Sequence, residues 1–285
     1  MLYKNFAIWY NCLMIEFKDV DYVYNEGEED AHKALSRVSL TVRDGEFVAL
    51  VGHNGSGKST IARLMNGLIV PTHGSVSVDG MNTADKKKLY DIRSTVGVVF
   101  QNPDNQMVAS VIEDDVAFGP ENLGLTSEEI SARVEWALES VGMSEHRKGT
   151  PFRLSGGQKQ RLAIAGVLAI KPKVMVLDES TAMLDPVGRE EVMKVITRLN
   201  REEGMTVVMI THFMEEAALA DRIIIMRGGS VVLEGGKEVF RNREVIESAG
   251  LELPLSARIA EALRSAGHDL GDVTTPEELI KALCR

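Results

Sequence analysis

Two cysteines in 285 residues, Cys12 and Cys284 near opposite ends, leave no spaced thiol framework for a metal cluster or a disulfide ladder. A reducing cytoplasm is the natural setting. Basic residues are also in deficit, 32 against 42 acidic ones for a formal charge of −10, which argues against a general nucleic-acid-binding face. The triplet Lys86, Lys87 and Lys88 reads as a solvated helix face. No apolar run approaches the roughly 18 to 20 residues that cross a bilayer, so a membrane role would have to come through partners. The first 15 residues are apolar and aromatic but have no basic start followed by a small-residue cleavage site, and do not read as a signal peptide. Met14 opens a plausible first strand, and a start there would make residues 1–13 an overhang, which an intact-mass measurement would detect.

What remains is the composition of an ordinary globular enzyme, 44% hydrophobic and 26% charged. Residues 16–42 alternate apolar and polar around an acidic turn at 25–30, as antiparallel strands joined by a loop would. Short continuous apolar runs at 47–51, 174–177 and 206–210 have the pattern of strands buried on both faces, and 75–78 and 96–100 also read as strands. Helical spacing is expected at 60–68, at 123–146 with Thr126 and Glu129 as a capping box, from 158 through 170, and at 190–199. Such alternation implies parallel strands with crossover helices. From about Arg243 the chain turns into helical pieces, with Leu255, Ile259 and Leu263 at four-residue spacing and a second capping box of Thr275, Pro276 and Glu278.

The strand at 47–51 runs into Gly52-His53-Asn54-Gly55-Ser56-Gly57-Lys58-Ser59-Thr60, the pattern G-x-x-x-x-G-K-[ST] between a strand and a helix. Average residue usage gives such a match by chance on the order of one time in a hundred for a chain of this length. Glycines let successive N–H groups point at phosphate oxygens, the helix N-terminus adds its positive end, Lys58 reaches the β and γ phosphates, and Ser59 ligates Mg²⁺.

A second strand, 174–177, ends in Asp178-Glu179. Alone, two acids at a strand tip say little. Beside a phosphate loop, Asp178 becomes the support for Mg²⁺ and Glu179 the group that polarises the attacking water. A third strand ends in Thr211-His212, where an imidazole can sense the γ-phosphate by hydrogen bonding.

Leu154-Ser155-Gly156-Gly157-Gln158 resembles the LSGGQ signature of ATP-binding cassette (ABC) ATPases, which P-loop proteins in general lack. The resemblance runs from about residue 14 to about residue 239. It implies an α/β P-loop NTPase cassette: a mixed central sheet with an antiparallel β subdomain, a helical signature subdomain at about 102–165, a cassette spanning 14–242, and a helical appendage at 243–285 that contributes to dimerisation. It also implies that the signature, Ser155 to Gln158, closes over ATP held by another subunit, with Gln101 as the Q-loop residue near the metal, Asp185 in the D-loop and His212 as the switch histidine. Tyr24, or Tyr22 on the same strand face, would stack on adenine. Val99 to Gln106 and Glu113 to Gly119 are similar more narrowly to the ATPase component of energy-coupling factor transporters, importers of vitamins or transition-metal ions. That likeness implies a second cassette, identical or related, with membrane-embedded coupling (T) and substrate-binding (S) components, at the cytoplasmic face of the membrane. A cassette of another importer, an exporter motor and a nucleotide-gated clamp for a soluble assembly are the alternatives. The clamp fits poorly with a single cassette that carries no heptad insertion.

Overall fold

The computed structural model describes residues 13–284, so the expected overhang lies outside the described residues except for Leu13. In chain order the regular elements begin with β1 (Leu13–Tyr24), β2 (His32–Arg43), β3 (Phe47–Val51), α1 (Lys58–Met65), β4 (His73–Val78), β5 (Met81–Asn82), α2 (Leu89–Thr95) and β6 (Val96–Val99). They continue with α3 (Ile112–Asn122), α4 (Ser127–Ser140), α5 (Gly156–Ala169), β7 (Val174–Asp178), α6 (Pro186–Arg201), β8 (Thr206–Thr211) and α7 (Met214–Ala217). The chain finishes with β9 (Arg222–Arg227), β10 (Ser230–Gly235), α8 (Arg243–Ser248), α9 (Leu255–Ser265) and α10 (Pro276–Leu283).

The central sheet has the order β10-β9-β3-β8-β7-β6, parallel from β9 to β6 with β10 antiparallel at the edge. A second sheet, β2-β1-β4-β5, is antiparallel throughout. Each face of the central sheet has its own core, which is why β3, β7 and β8 are apolar at nearly every position. One core packs Phe47, Met175 and Val207 under helices α3 to α6, and the other packs Leu50, Val176 and Ile210 against α1 and the antiparallel sheet.

Helix α4 is shorter than the expected 123–146. Gly124 takes a left-handed φ of 70°, Thr126 then caps α4 in a reciprocal box with Glu129, and Gly142 at φ 67° ends the segment. The C-terminal helices are continuous with the cassette: Ile246, Ala249, Leu251 and Leu253 belong to the larger core, and the Ala249 carbonyl accepts from the His53 N–H at 3.1 Å. Leu255, Ile259 and Leu263 fall on α9, as their spacing implies, and Leu255 is 63% and Ile259 37% exposed.

Candidate functional site

Because β3, β7 and β8 are parallel neighbours, their C-terminal ends meet at one edge, where Val51 is level with Thr211 and Asp178 with Ile210. Open parallel sheets bind ligands at that edge. There the chain after β3 wraps into the glycine-rich loop and enters α1, whose first N–H groups have no intrahelical partner. The close fit of this loop demands glycine. A Cβ at Gly57, where φ is 101°, would lie 2.6 Å from Leu35 Cδ2 and 2.7 Å from the Ala34 carbonyl. One at Gly52 would lie 2.4 Å from the Met226 carbonyl.

Lys58 is 4% exposed and donates to the carbonyls of Gly52 at 2.8 Å and His53 at 3.0 Å, with Glu179 Oε1 3.7 Å away. Burial pushes its ammonium below the ordinary lysine range, against the pull of Glu179 and Asp178. Asp178 is buried as well, and burial raises its carboxyl although Ser59 Oγ donates to it at 2.9 Å. Glu179 adopts φ 49°, a strained conformation for a non-glycine residue, and His212 Nδ1 stands 4.0 Å from its Oε2. Three strand ends thus converge as an ammonium, two carboxylates and an imidazole around a glycine loop.

Lys58 and Glu179 line a cleft of about 340 Å³ with Tyr24, His32, Asn54, Gly55, Ser59, Thr60 and Gln101, while Asp178 and His212 stand beside it against Ser59 and Glu179. Tyr24 shares a hydrogen bond with Thr60 Oγ1 at 3.2 Å, while Tyr22 meets it edge to face at 4.8 Å and rests against the core. Gln101 is exposed at the mouth. The turn that follows is pinned by Gln106, which accepts from the Phe100 N–H at 2.8 Å and donates to the Val98 carbonyl at 3.2 Å.

Ser155, Gly156, Gly157 and Gln158 are elsewhere. Ser155 caps α5 in a second reciprocal box with Gln158, and Asp185 caps α6 by accepting from the Gly188 N–H at 2.7 Å. Together these helix starts line a separate open concavity of about 320 Å³ with Met183 and Val187, and it shares no lining residue with the cleft. Among the described residues nothing asks for glycine here: a Cβ at Gly156 would lie 3.8 Å from Leu184 Cδ2, and one at Gly157 would lie 3.5 Å from Gly188 Cα, both ordinary contacts.

Residues 35–182 match the family model described as ABC transporter. The chain is 53% identical over 274 residues, 95% of its length and 99% of the relative's, to the energy-coupling factor transporter ATP-binding protein EcfA1 of Caldanaerobacter subterraneus subsp. tengcongensis. The chain belongs to the ABC transporter family. Against EcfA1 of Symbiobacterium thermophilum the identity is 56% over 93% of this chain and 95% of that protein. Among solved structures, cbiO1 from Clostridium perfringens, described as part of the ABC transporter complex cbiONQ, is 36% identical with a TM-score of 0.75, covering 88% of this chain and 100% of that one. The cassette MJ0796 in a dimeric post-hydrolysis state with ADP and Pi is 34% identical with a TM-score of 0.71, covering 78% of this chain and 98% of that one.

The chain is therefore an ATP-binding, ATP-hydrolysing cassette of the energy-coupling factor group. The structure brings Tyr24, Gln101, Lys58, Ser59, Asp178, Glu179 and His212 to one edge of its sheet and carries the signature and Asp185 on another surface. Sequence reasoning missed Gln106 and a buried cluster of Thr181, Thr211 and Glu216 behind that edge. Gln106 was part of a recognised run but had no assigned task. Glu216 lies in Met-Glu-Glu-Ala, which reads like a solvated helix.

Proposed function

We propose that this ATPase powers import through membrane partners, with two cassettes enclosing Mg-ATP between the phosphate loop of one and the signature of the other. The observation that carries this is the contrast in glycines. The phosphate loop needs Gly52 and Gly57 for its own packing, whereas Gly156 and Gly157 begin a helix that alanine would suit better. Bare backbone at an exposed helix N-terminus is suited to an anion approaching from outside, here a phosphate of ATP held by a second subunit.

Within the cleft Lys58 and the loop amides take the terminal phosphates, and Tyr24 offers its ring to adenine. Glu179 receives a proton from the attacking water, and His212, beside Glu179, hydrogen-bonds the γ-phosphate. Positioned charge, not a covalent intermediate, lowers the barrier.

The residues fit magnesium. Asp178 is a carboxylate whose charged form burial disfavours, Ser59 Oγ lies 2.9 Å from it, and Gln101 lines the cleft together with Ser59. Among the described residues no cluster of three or more His, Cys, Asp or Glu could hold a metal alone, so phosphate oxygens and water would complete the six positions that Mg²⁺ prefers. Bound there, Mg²⁺ would neutralise developing charge on the phosphates.

Coupling to the membrane runs through Gln101 and the segment after it. A groove beside that segment, lined by Leu68, Phe100, Val108, Phe118 and Val167, is open and apolar, with Val108 57% and Phe118 49% exposed. It suits helices of a membrane-embedded coupling component, which works with a substrate-binding component. No described helix is long and apolar enough to cross a membrane, so attachment at the cytoplasmic face would come through these partners. Vitamins or transition-metal ions are the cargo that the energy-coupling factor likeness supports, and a related cassette is the favoured mate. Detergent extraction of a tagged chain is expected to recover a second cassette and multi-span membrane subunits. Recovery of ribosomes or nucleic acid alone would contradict the reading.

A further inference from the structure

Behind the catalytic edge lies a carboxylate that the mechanism does not use. Glu216, on α7, is 3% exposed. Its Oε1 accepts from Thr181 Oγ1 at 2.6 Å and its Oε2 from Thr211 Oγ1 at 2.5 Å. Thr181 is two residues after Glu179, and Thr211 immediately precedes His212. The Thr211 hydroxyl also accepts from the Phe213 N–H at 3.0 Å, so the turn that carries His212 is fixed from both sides.

A third element joins this pair. Arg189 of α6 holds its Nε 3.6 Å from Glu216 Oε1 and lays its guanidinium 3.5 Å over the Phe213 ring, which packs 4.1 Å from the His212 ring. The Nε is buried without a hydrogen-bond partner, and 3.6 Å is too long for one. That contact is loose enough for a small shift of α6 to tighten it. Asp185, which caps α6, lies on the concavity that faces a second subunit under the function proposed above.

An acid is a costly way to fill a buried site, because apolar side chains of similar size do so without desolvating a charge. Its neighbours Met214 and Ala217 already anchor α7 in the core. Burial pushes the Glu216 carboxyl above the usual range, while the two threonine hydroxyls and Arg189 work to keep it ionised. What the carboxylate adds beyond packing is a fixed distance between two loops and a charge that α6 can engage.

We propose that Glu216 is a positioning residue that holds the Glu179-bearing turn and the His212-bearing strand end in register and links both to α6, so that displacement of the D-loop helix reaches the hydrolytic pair. The proposal rests on the reading that Glu179 and His212 act at the γ-phosphate. It assigns Glu216 a task in the rate of the chemical step and none in ATP binding.

The test uses the full-length chain in the assembly in which it is isolated, with Mg-ATP turnover and the affinity for a fluorescent ATP analogue measured for Glu216→Gln, Thr181→Val, the double variant and Glu179→Gln. A displacement of about 1 Å in a catalytic group can cost a hundredfold in rate, so kcat is expected to fall at least about tenfold in each of the first two variants, with affinity within about twofold of wild type. The double variant should be no slower than Glu216→Gln alone, since both changes break the same link. Thr181→Val nearly preserves shape and keeps the test available if Glu216→Gln does not fold. Wild-type turnover in both single variants beside an inactive Glu179→Gln would overturn the proposal alone. So would affinity falling in step with rate, or multiplying effects in the double variant. Full turnover in Glu179→Gln would instead remove the reading beneath it.

Discussion

The phosphate loop and the signature ridge are built from the same parts, small residues leading into the N-terminus of a helix, yet they sit in opposite environments. At the phosphate loop the chain closes on itself: Gly57 is wedged against Ala34 and Leu35, and Lys58 is buried between carbonyls and carboxylates. At the signature ridge the same parts open outward, a Cβ added at Gly156 or Gly157 would meet nothing closer than 3.5 Å outside its own helix, and Met183 nearby is 67% exposed. Identical local chemistry therefore makes a self-sufficient half-site in one place and an unfinished one in the other. Under the proposed function a second subunit supplies what the ridge lacks.

The comparison breaks most sharply at Glu179. Replacing it by Gln keeps size and removes basicity, so turnover should fall by about 10²- to 10⁴-fold while ATP binding persists, as single-turnover hydrolysis and equilibrium dialysis would show. Lys58→Ala removes a charged donor from the phosphates, and nucleotide affinity should weaken by about ten- to a hundredfold, one to two decades at 1.4 kcal/mol each, measured by the same dialysis. Gly157→Ala separates the two regions. The alanine fits its own chain and should leave thermal stability unchanged or up to about 1 kcal/mol higher, since glycine disfavours helix, while steady-state turnover falls. The same change at Gly57 meets a 2.6 Å clash and should lower stability and ATP affinity together.

A smaller effect belongs to the last helix, α10. Partial burial pushes the Glu278 carboxyl up, but the Lys237 ammonium and the N–H groups of Thr274 and Thr275 outweigh it and bring it from 4.5 down to about 2. A carboxyl lowered on folding contributes stability above its unfolded pKa and loses it as pH falls through the folded one. Glu278→Gln should therefore cost a little stability at pH 7. Its thermal midpoint should converge on that of wild type as pH drops from 4.5 towards 2.

How much of this could be read beforehand follows from how local each feature is. The phosphate loop, the Asp178-Glu179 strand tip and the caps at Thr126 and Thr275 are written in contiguous residues, and the helices and strands carrying them formed close to where periodicity put them. Strands β9 and β10 went unread, although β9 is the neighbour of β3 and Met226 on it presses on Gly52. Which strand lies beside which is decided by contacts across about 175 residues, and no local pattern encodes that. Tyr22 and Tyr24 are equivalent by alternation. They differ because Tyr24 ends β1 at the cleft whereas irregular pairing around Tyr22 turns it to the core. Glu216 was invisible for a related reason, since its partners come from β8 and from the turn after β7.

The most direct test is a structure of the Glu179→Gln chain, trapped with Mg-ATP and its partner cassette. The triphosphate should lie on the loop from Gly52 to Ser59 with its terminal phosphate at Lys58, and the ridge from Ser155 to Gly157 should face the nucleotide of the opposite subunit. A triphosphate bound away from Lys58, or a ridge left in solvent with both nucleotides in place, would contradict the account.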